Sequence, residues 1–229
     1  MEGSLIIFTI KKMKIIITGA TGMVGEGVLL VCLEHPEVSE VLSVSRKPIA
    51  HQHAKLKELI LSDFSKLDEH EELLKNYDGC FFCAGVSSVG ENEESFTRKT
   101  YDFVVPFARL LSGINNEMTF IYVSGSKTDS TEQGKVMWAR VKGRTENALV
   151  KLPFKSVYNF RPGFMKPVKG QKNVNAVYRV LEVFYPFWLL VLPNWTCSMR
   201  EVGLAMIHCV SRGYNKHVLE VADIKVQAK

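Results

Sequence analysis

Cysteine is scarce in this chain of 229 residues, and the five present, at 32, 80, 83, 197 and 209, are odd in number and follow no framework spacing. That excludes a disulfide-stapled secreted scaffold and points to a reducing, cytoplasmic setting. Cys80 and Cys83 form a CxxC, but no second Cys or His pair completes a zinc site, so they read as small core residues and no metal is expected. Long hydrophobic runs are missing too. The densest, residues 185–193, contains Pro186 and Pro193 and falls short of the ~20 apolar residues that a bilayer span needs. The short apolar stretch Leu5 to Ile10 has no basic residue before it and no small-residue cleavage site after it, so it does not read as an export signal. Repeats and low-complexity segments are absent. With 46% hydrophobic and 23% charged residues, no large part reads as disordered. What remains suits one α/β domain over residues 13–229, preceded by an extension at 1–12.

The most informative segment runs from Lys14 to Gly25. The apolar Ile15-Ile16-Ile17 turns through Gly19, Gly22 and Gly25 into a helical run from Met23 to Leu33. This is the pattern of a dinucleotide-binding βα turn. Gly19 permits the tight turn, Gly22 lets backbone approach a pyrophosphate, and Gly25 lets helix pack on strand. Thr21, Met23 and Val24 lie where free N–H groups of the helix start would face phosphates.

One further absence bears on which dinucleotide. About 20 residues on, an acid would meet the ribose 2′-hydroxyl of NAD; here the second strand, Glu40 to Ser45, runs into Arg46-Lys47-Pro48. A guanidinium binds a 2′-phosphate bidentately and Lys47 adds a point charge, so NADP is favoured. The alternative is a solvated loop end.

Strand and helix patterns alternate through the rest of the chain. Strands are expected at 58–62, 80–84, 119–124 and 156–160, and helices at 66–76, 93–112 and 134–151. That is the βαβα order of a Rossmann-like, doubly wound parallel sheet. In such a fold Asp63 would lie near the adenine, and Ala84 and Gly85 under the cofactor. Beyond it come helices at 175–184 and 199–211 and a last strand at 217–221, with residues 164–216 forming a small C-terminal region.

The segments Gly19-Ala20-Thr21-Gly22-Met23-Val24-Gly25, Cys83-Ala84-Gly85, Thr100-Tyr101-Asp102, Val141-Lys142-Gly143 with Glu146, Arg161-Pro162-Gly163 and Met199-Arg200-Glu201-Val202-Gly203 span nearly the whole chain. In this order and spacing the chain resembles the short-chain dehydrogenase/reductase superfamily, and within it the atypical, NAD-dependent epimerase-like branch that includes Tat-interacting oxidoreductase-like proteins. The resemblance implies a Rossmann-like domain, an NADP-type cofactor at the glycine turn, a nicotinamide near Arg161, Pro162 and Gly163, and a substrate covered by the C-terminal region 164–216. It also implies a catalytic Ser, Tyr and Lys, the last two spaced as YxxxK. Lys142 stands at the lysine position, but four residues earlier the chain has Trp138, and no other Tyr lies between Val123 and Val157. An indole N–H donates a hydrogen bond but does not exchange protons near neutral pH. Of the two serines in the turn after the fifth strand, Ser126 fits the family's spacing better than Ser124. A water held by Lys142 and Ser126 could relay a proton, with Lys142 also binding the nicotinamide ribose.

Charge is uneven. From Lys127 to Arg179 there are twelve cations and three acids, net +9 in a chain of +5. Such a field attracts anions, either the cofactor or an acidic small-molecule substrate; no nucleic-acid motif accompanies it. The aromatic run 185–193 is expected to wall a partly apolar pocket, with a dimer patch or a membrane-dipping surface at 184–193 as the alternatives. Monomer and homodimer both remain open. So do two function classes. One is an NADP(H)-dependent oxidoreductase acting on a small carbonyl or alcohol with altered proton chemistry, and the other is a catalytically silent NADPH-binding regulator.

Overall fold

The computed structural model describes residues 12–229; most of the extension expected at 1–12 lies outside the described residues. The chain opens on β1 (Met13–Thr18), α1 (Met23–Glu34), β2 (Val38–Ser45) and β3 (Leu56–Ile60). A 3₁₀ turn (Phe64–His70) leads to α2 (Glu71–Leu74), β4 (Gly79–Phe82), α3 (Glu93–Lys99), α4 (Tyr101–Ile114) and β5 (Thr119–Val123). The second half comprises α5 (Met137–Leu149), β6 (Ser156–Arg161), β7 (Phe164–Lys166), α6 (Ala176–Val183), α7 (Tyr185–Val191), β8 (Thr196–Ser198), α8 (Met199–Ser211), β9 (Val218–Glu220) and α9 (Val221–Gln227). Seven strands form one parallel sheet in the order β3-β2-β1-β4-β5-β6-β9, and β7 and β8 make a separate parallel pair. The strand order reverses between β1 and β4, the crevice where such sheets bind ligands.

The apolar run of β1 is continuous because both faces of the sheet are covered. Ile15 and Ile17 face a core built with Val28, Leu29 and Cys32 of α1 and Val202, Ala205 and Met206 of α8. Ile16 faces the opposite core, with Leu42, Phe82, Val104, Phe107 and Leu149. Within 164–216, α8 belongs to the helical layer on the sheet, and Met165 and Cys197 of the β7–β8 pair join the same core.

The single helix expected at 93–112 is two. It breaks at Thr100, whose φ of −120° and ψ of −77° leave the helical region. The helix expected at 66–76 is mostly a 3₁₀ turn followed by the four-residue α2. The aromatic run, expected to wall a pocket, is turned largely outward. It forms α7, in which no residue is buried. Tyr178, Tyr185 and Trp195 pack on Phe164, at ring-centroid distances of 5.4, 6.4 and 6.3 Å, and fix α6 and α7 to the small sheet. Helical periodicity then turns much of the remaining apolar surface outward.

Candidate functional site

The glycine turn is held by two close approaches. Gly19 has φ +73°, and a Cβ there would lie 2.6 Å from the Ala84 amide nitrogen, so the end of β1 is pressed on the end of β4. A Cβ at Gly25 would lie 2.2 Å from the Gly19 carbonyl oxygen. Gly22 differs. Its Cβ would meet nothing nearer than that same oxygen at 3.4 Å, so the fold alone leaves room for a side chain there. Gly22 is also the N-cap of α1, with no side chain capping the helix. The first turn of α1 thus ends beside open space, where backbone amides and the helix dipole favour an anion.

That space is a cleft of about 630 Å³ lined by Gly19, Thr21, Gly22, Arg46, Lys47, Ala84 and Gly85. Arg46 and Lys47 are exposed at its edge. The Ser45 hydroxyl donates to the Lys47 carbonyl oxygen at 2.7 Å, so it shapes the loop under the two cations and is not free to face a ligand. Phe64 and Phe103, stacked at 5.3 Å, add an apolar wall to the same cleft. Sequence reasoning missed this pair, because two residues 39 positions apart meet only through tertiary packing. Asp63 itself is exposed and does not line the cleft; its neighbour Phe64 does.

Ala84, Gly85, Val86 and Lys99 line the cleft and also a smaller recess bounded by Thr100, Tyr122, Val123 and Lys142. The glycine turn and Lys142 therefore belong to one continuous surface. The Lys142 amine donates to the Ser124 carbonyl oxygen. Burial pushes Lys142 down to about 8, with the Glu146 carboxylate one turn further on pulling the other way. Trp138, one turn before Lys142, is half-buried and lines neither recess. The Cys83 thiol, in the cleft wall, is pushed up to about 12 by burial and is inert as a nucleophile.

The two serines separate clearly. Ser124 is buried, and its hydroxyl donates to Glu146 Oε1 at 2.5 Å, with the Phe160 carbonyl oxygen 3.1 Å away. Ser126 is half-buried, and its amide donates to the Pro162 carbonyl oxygen at 2.9 Å, which ties the turn after β5 to the turn after β6. Arg161 does not offer its guanidinium to the cleft. It is buried, donates to both oxygens of the buried Glu146 (Nε to Oε1 at 3.0 Å) and reaches the Ser130 hydroxyl at 2.5 Å and Glu220 at 3.3 Å. A Cβ at Gly163 would lie 2.2 Å from the Trp195 carbonyl oxygen, so this glycine serves a backbone crossing. Arg161, Pro162 and Gly163 thus frame the site by packing.

Glu26 is a further residue that the sequence did not single out. It is fully buried on α1 and accepts from His51 at 2.7 Å and from the amides of Lys172 and Asn173 at 2.9 and 2.7 Å. Burial alone would raise its pKa, but these hydrogen bonds together hold the carboxyl below its ordinary value. It joins the loop after Arg46-Lys47 to the strap at 171–173. A carboxylate four residues past a glycine turn carries no mark of that role in sequence.

The model of the NAD dependent epimerase/dehydratase family matches residues 15–134, which run from β1 past β5 and make up just over half of the chain. The chain belongs to that family. Among relatives, the leucinostatins biosynthesis cluster protein T of Purpureocillium lilacinum is 30% identical over 61% of this chain and 52% of its own length, so the chain spans about half of that relative. Two solved structures share the fold. A short chain dehydrogenase family protein from Francisella tularensis superposes with a TM-score of 0.61 at 15% identity, over 88% of this chain and 92% of that one. The Bordetella bronchiseptica enzyme WbmG, determined in complex with NAD, superposes with a TM-score of 0.64 at 11% identity, over 96% and 79%. The family is one of NAD(P)-binding Rossmann proteins, and the seven-stranded parallel sheet has the Rossmann-like architecture it implies. The gap in front of Gly22 and the uncapped start of α1 fit the pyrophosphate of such a cofactor.

The lowered Lys142 pKa has a consequence for stability. Between about 8 and the ordinary lysine value of 10.5, the unfolded chain binds more protons at this residue than the folded one, so stability rises with pH across that window. Below pH 8 the buried ammonium is a cost. Lys142→Met is therefore expected to unfold at a higher temperature than wild type at pH 7, with the difference shrinking as the pH is raised towards 10. Thermal melts at a series of pH values would show it, and a difference that is constant with pH would overturn the assignment.

Proposed function

We propose that this chain is an NADP(H)-dependent oxidoreductase acting on a small carbonyl or alcohol, with Lys142 and Ser126 managing the substrate oxygen where the family's phenol is missing. The observation that carries the reading is the continuity of one surface. It runs from Arg46 and Lys47, past the glycine turn, along Ala84, Gly85 and Val86, to the Lys142 amine.

In this reading Gly19, Thr21 and Gly22, with the amides of Met23, Val24 and Gly25, hold the pyrophosphate, and Arg46 and Lys47 hold the 2′-phosphate. The Phe64–Phe103 wall serves the adenine end, Ala84 and Gly85 form the floor, and the Pro162–Gly163 turn borders the nicotinamide end. When bound, the nicotinamide supplies or accepts a hydride. Lys142 Nζ orients the ribose and, through a water shared with Ser126 Oγ, holds the proton that the substrate oxygen gains or loses. The surplus of cations over 127–179 favours an anionic substrate or one with an anionic end. A second reading, an NADPH-binding regulator without turnover, is supported by Trp138, which puts no exchangeable proton one turn from Lys142.

The deciding experiment is a calorimetric titration with NADPH and NADH. A bidentate charged contact contributes about 1.5–3 kcal/mol, so NADPH is expected to bind about 10- to 100-fold more tightly, with Arg46→Ala shrinking the gap. Equal affinities, or a preference for NADH, would overturn the NADP assignment. Gly22→Val is expected to abolish binding of both cofactors while leaving the unfolding midpoint near wild type, because a Cβ there makes only a 3.4 Å contact with the protein itself.

A further inference from the structure

A cluster of exposed apolar side chains lies outside the site described above. Val183, Phe184, Phe187, Leu190 and Val191 are exposed by 74, 55, 54, 82 and 52%, on the end of α6 and along α7. Five large apolar side chains in nine residues exceed the scattered exposure usual on a protein surface. The patch is held rigidly, since Tyr178, Tyr185 and Trp195 anchor its other side on Phe164. No charged residue of either sign occurs from Val183 to Trp195.

Cations edge this neutral surface. The Lys166 ammonium sits 5.1 Å over the Tyr185 ring at the start of α7, and the Lys225 ammonium donates to the Pro193 carbonyl oxygen at 2.7 Å just past its end. Lys166, Lys169 and Arg179 line a neighbouring recess of about 710 Å³ together with Arg200 and the carboxylates of Glu34 and Glu182, of which Glu34 pairs with Arg200. From Phe164 to Arg200 there are five cations and one acid, Glu182.

We propose that α7 and the end of α6 seat this protein on an anionic lipid surface, with Phe184, Phe187 and Leu190 entering the headgroup–acyl boundary and Lys166, Lys169, Arg179 and Lys225 meeting the headgroups. Charge complementarity selects this occupant over a second copy of the chain. A two-fold contact through the same patch would bring a cationic rim close to its own image, whereas an anionic bilayer neutralises it. The length of α7 agrees. Seven residues cannot cross a bilayer but can lie in the interface.

The test is flotation of the full chain with vesicles of phosphatidylcholine alone and of phosphatidylcholine with 30% phosphatidylserine, alongside its mass in solution by light scattering. Binding to the anionic vesicles, weakened by 0.5 M salt, is expected. Phe187→Ser and Leu190→Ser should each lower the partition coefficient about tenfold with NADPH affinity unchanged, and Lys169→Gln and Arg179→Gln should lower it about fivefold each. A chain lacking residues 1–11 should bind the vesicles as the full chain does. The proposal is overturned if wild type fails to float with either vesicle. It is equally overturned if binding depends on residues 1–11 and not on Phe187 and Leu190, or if wild type is a dimer that these two substitutions convert to a monomer without any vesicle binding.

Discussion

Replacing Trp138 by Tyr is expected to raise NADPH-dependent carbonyl reduction by about 10²–10⁴-fold over wild type, the usual contribution of a positioned general acid. Trp138 and Lys142 are four residues apart on α5, so both side chains leave the helix on the same side. Trp138 itself lines neither recess, so the gain requires the phenol to turn towards Lys142, whose ammonium would lower its pKa and make it a better proton donor. The lysine already sits in the recess and bonds to the Ser124 carbonyl oxygen, so the substitution adds a donor to existing support. The assay is the loss of NADPH absorbance across a panel of aldehydes, ketones and quinones. Lys142→Met in the Trp138→Tyr background should remove most of the gain.

The wild-type enzyme carries its own signature in the same assay. If Lys142 is the proton source through a shared water, reduction requires the ammonium form, and turnover should fall as pH rises through about 8. Lys99 and Glu146 are the other charged groups close to this amine. Oxidation of the matching alcohol, which needs the free amine, should rise over the same interval. Tight NADPH binding with no turnover in wild type or in Trp138→Tyr would favour the regulator reading.

What the sequence could disclose about this site follows from how local each feature is. The glycine turn needs nothing beyond a strand, three spaced glycines and a helix, and β1 and α1 stand where that spacing puts them. Lys142 and Arg46-Lys47 were legible for the same reason, since each is fixed by its distance from an element end. Phe64 and Phe103 were not, because their stacking depends on the fold bringing the turn after β3 against α4. Arg161 was misleading in another way. A guanidinium at the end of β6 looks available in one dimension, and only the packing of α5 on the sheet shows that Glu146 has engaged it. The aromatic run 185–193 shows the limit of periodicity, which reports that a face is apolar and says nothing of what covers it. A pocket wall and an exposed helix carry the same letters.

Arg161→Met is expected to cost about 3–5 kcal/mol of folding stability, which in a chain of this size corresponds to a fall of roughly 10 °C in Tm. The cost comes from the partner left behind. Glu146 is 1% exposed, and without the guanidinium its carboxylate keeps the Ser124 hydroxyl at 2.5 Å but loses its countercharge. Glu146→Leu alone strands the arginine in the same way, although Glu220 at 3.3 Å and the Ser130 hydroxyl at 2.5 Å soften the loss, so a smaller effect is expected. The double variant should recover most of the stability, because a buried ion pair replaced by apolar side chains of similar volume is often neutral. Urea unfolding of the four proteins closes the cycle, and a coupling well above 1 kcal/mol between the two sites is the expected result. The function should not recover with the stability. Glu146 fixes the hydroxyl of Ser124, whose carbonyl oxygen holds the Lys142 amine, so removing the pair frees both the turn and the lysine. A double variant that is stable, binds NADPH and has lost the inflection near pH 8 would place Arg161 and Glu146 as positioning residues for Lys142. An unchanged pH profile would leave them with a purely structural role.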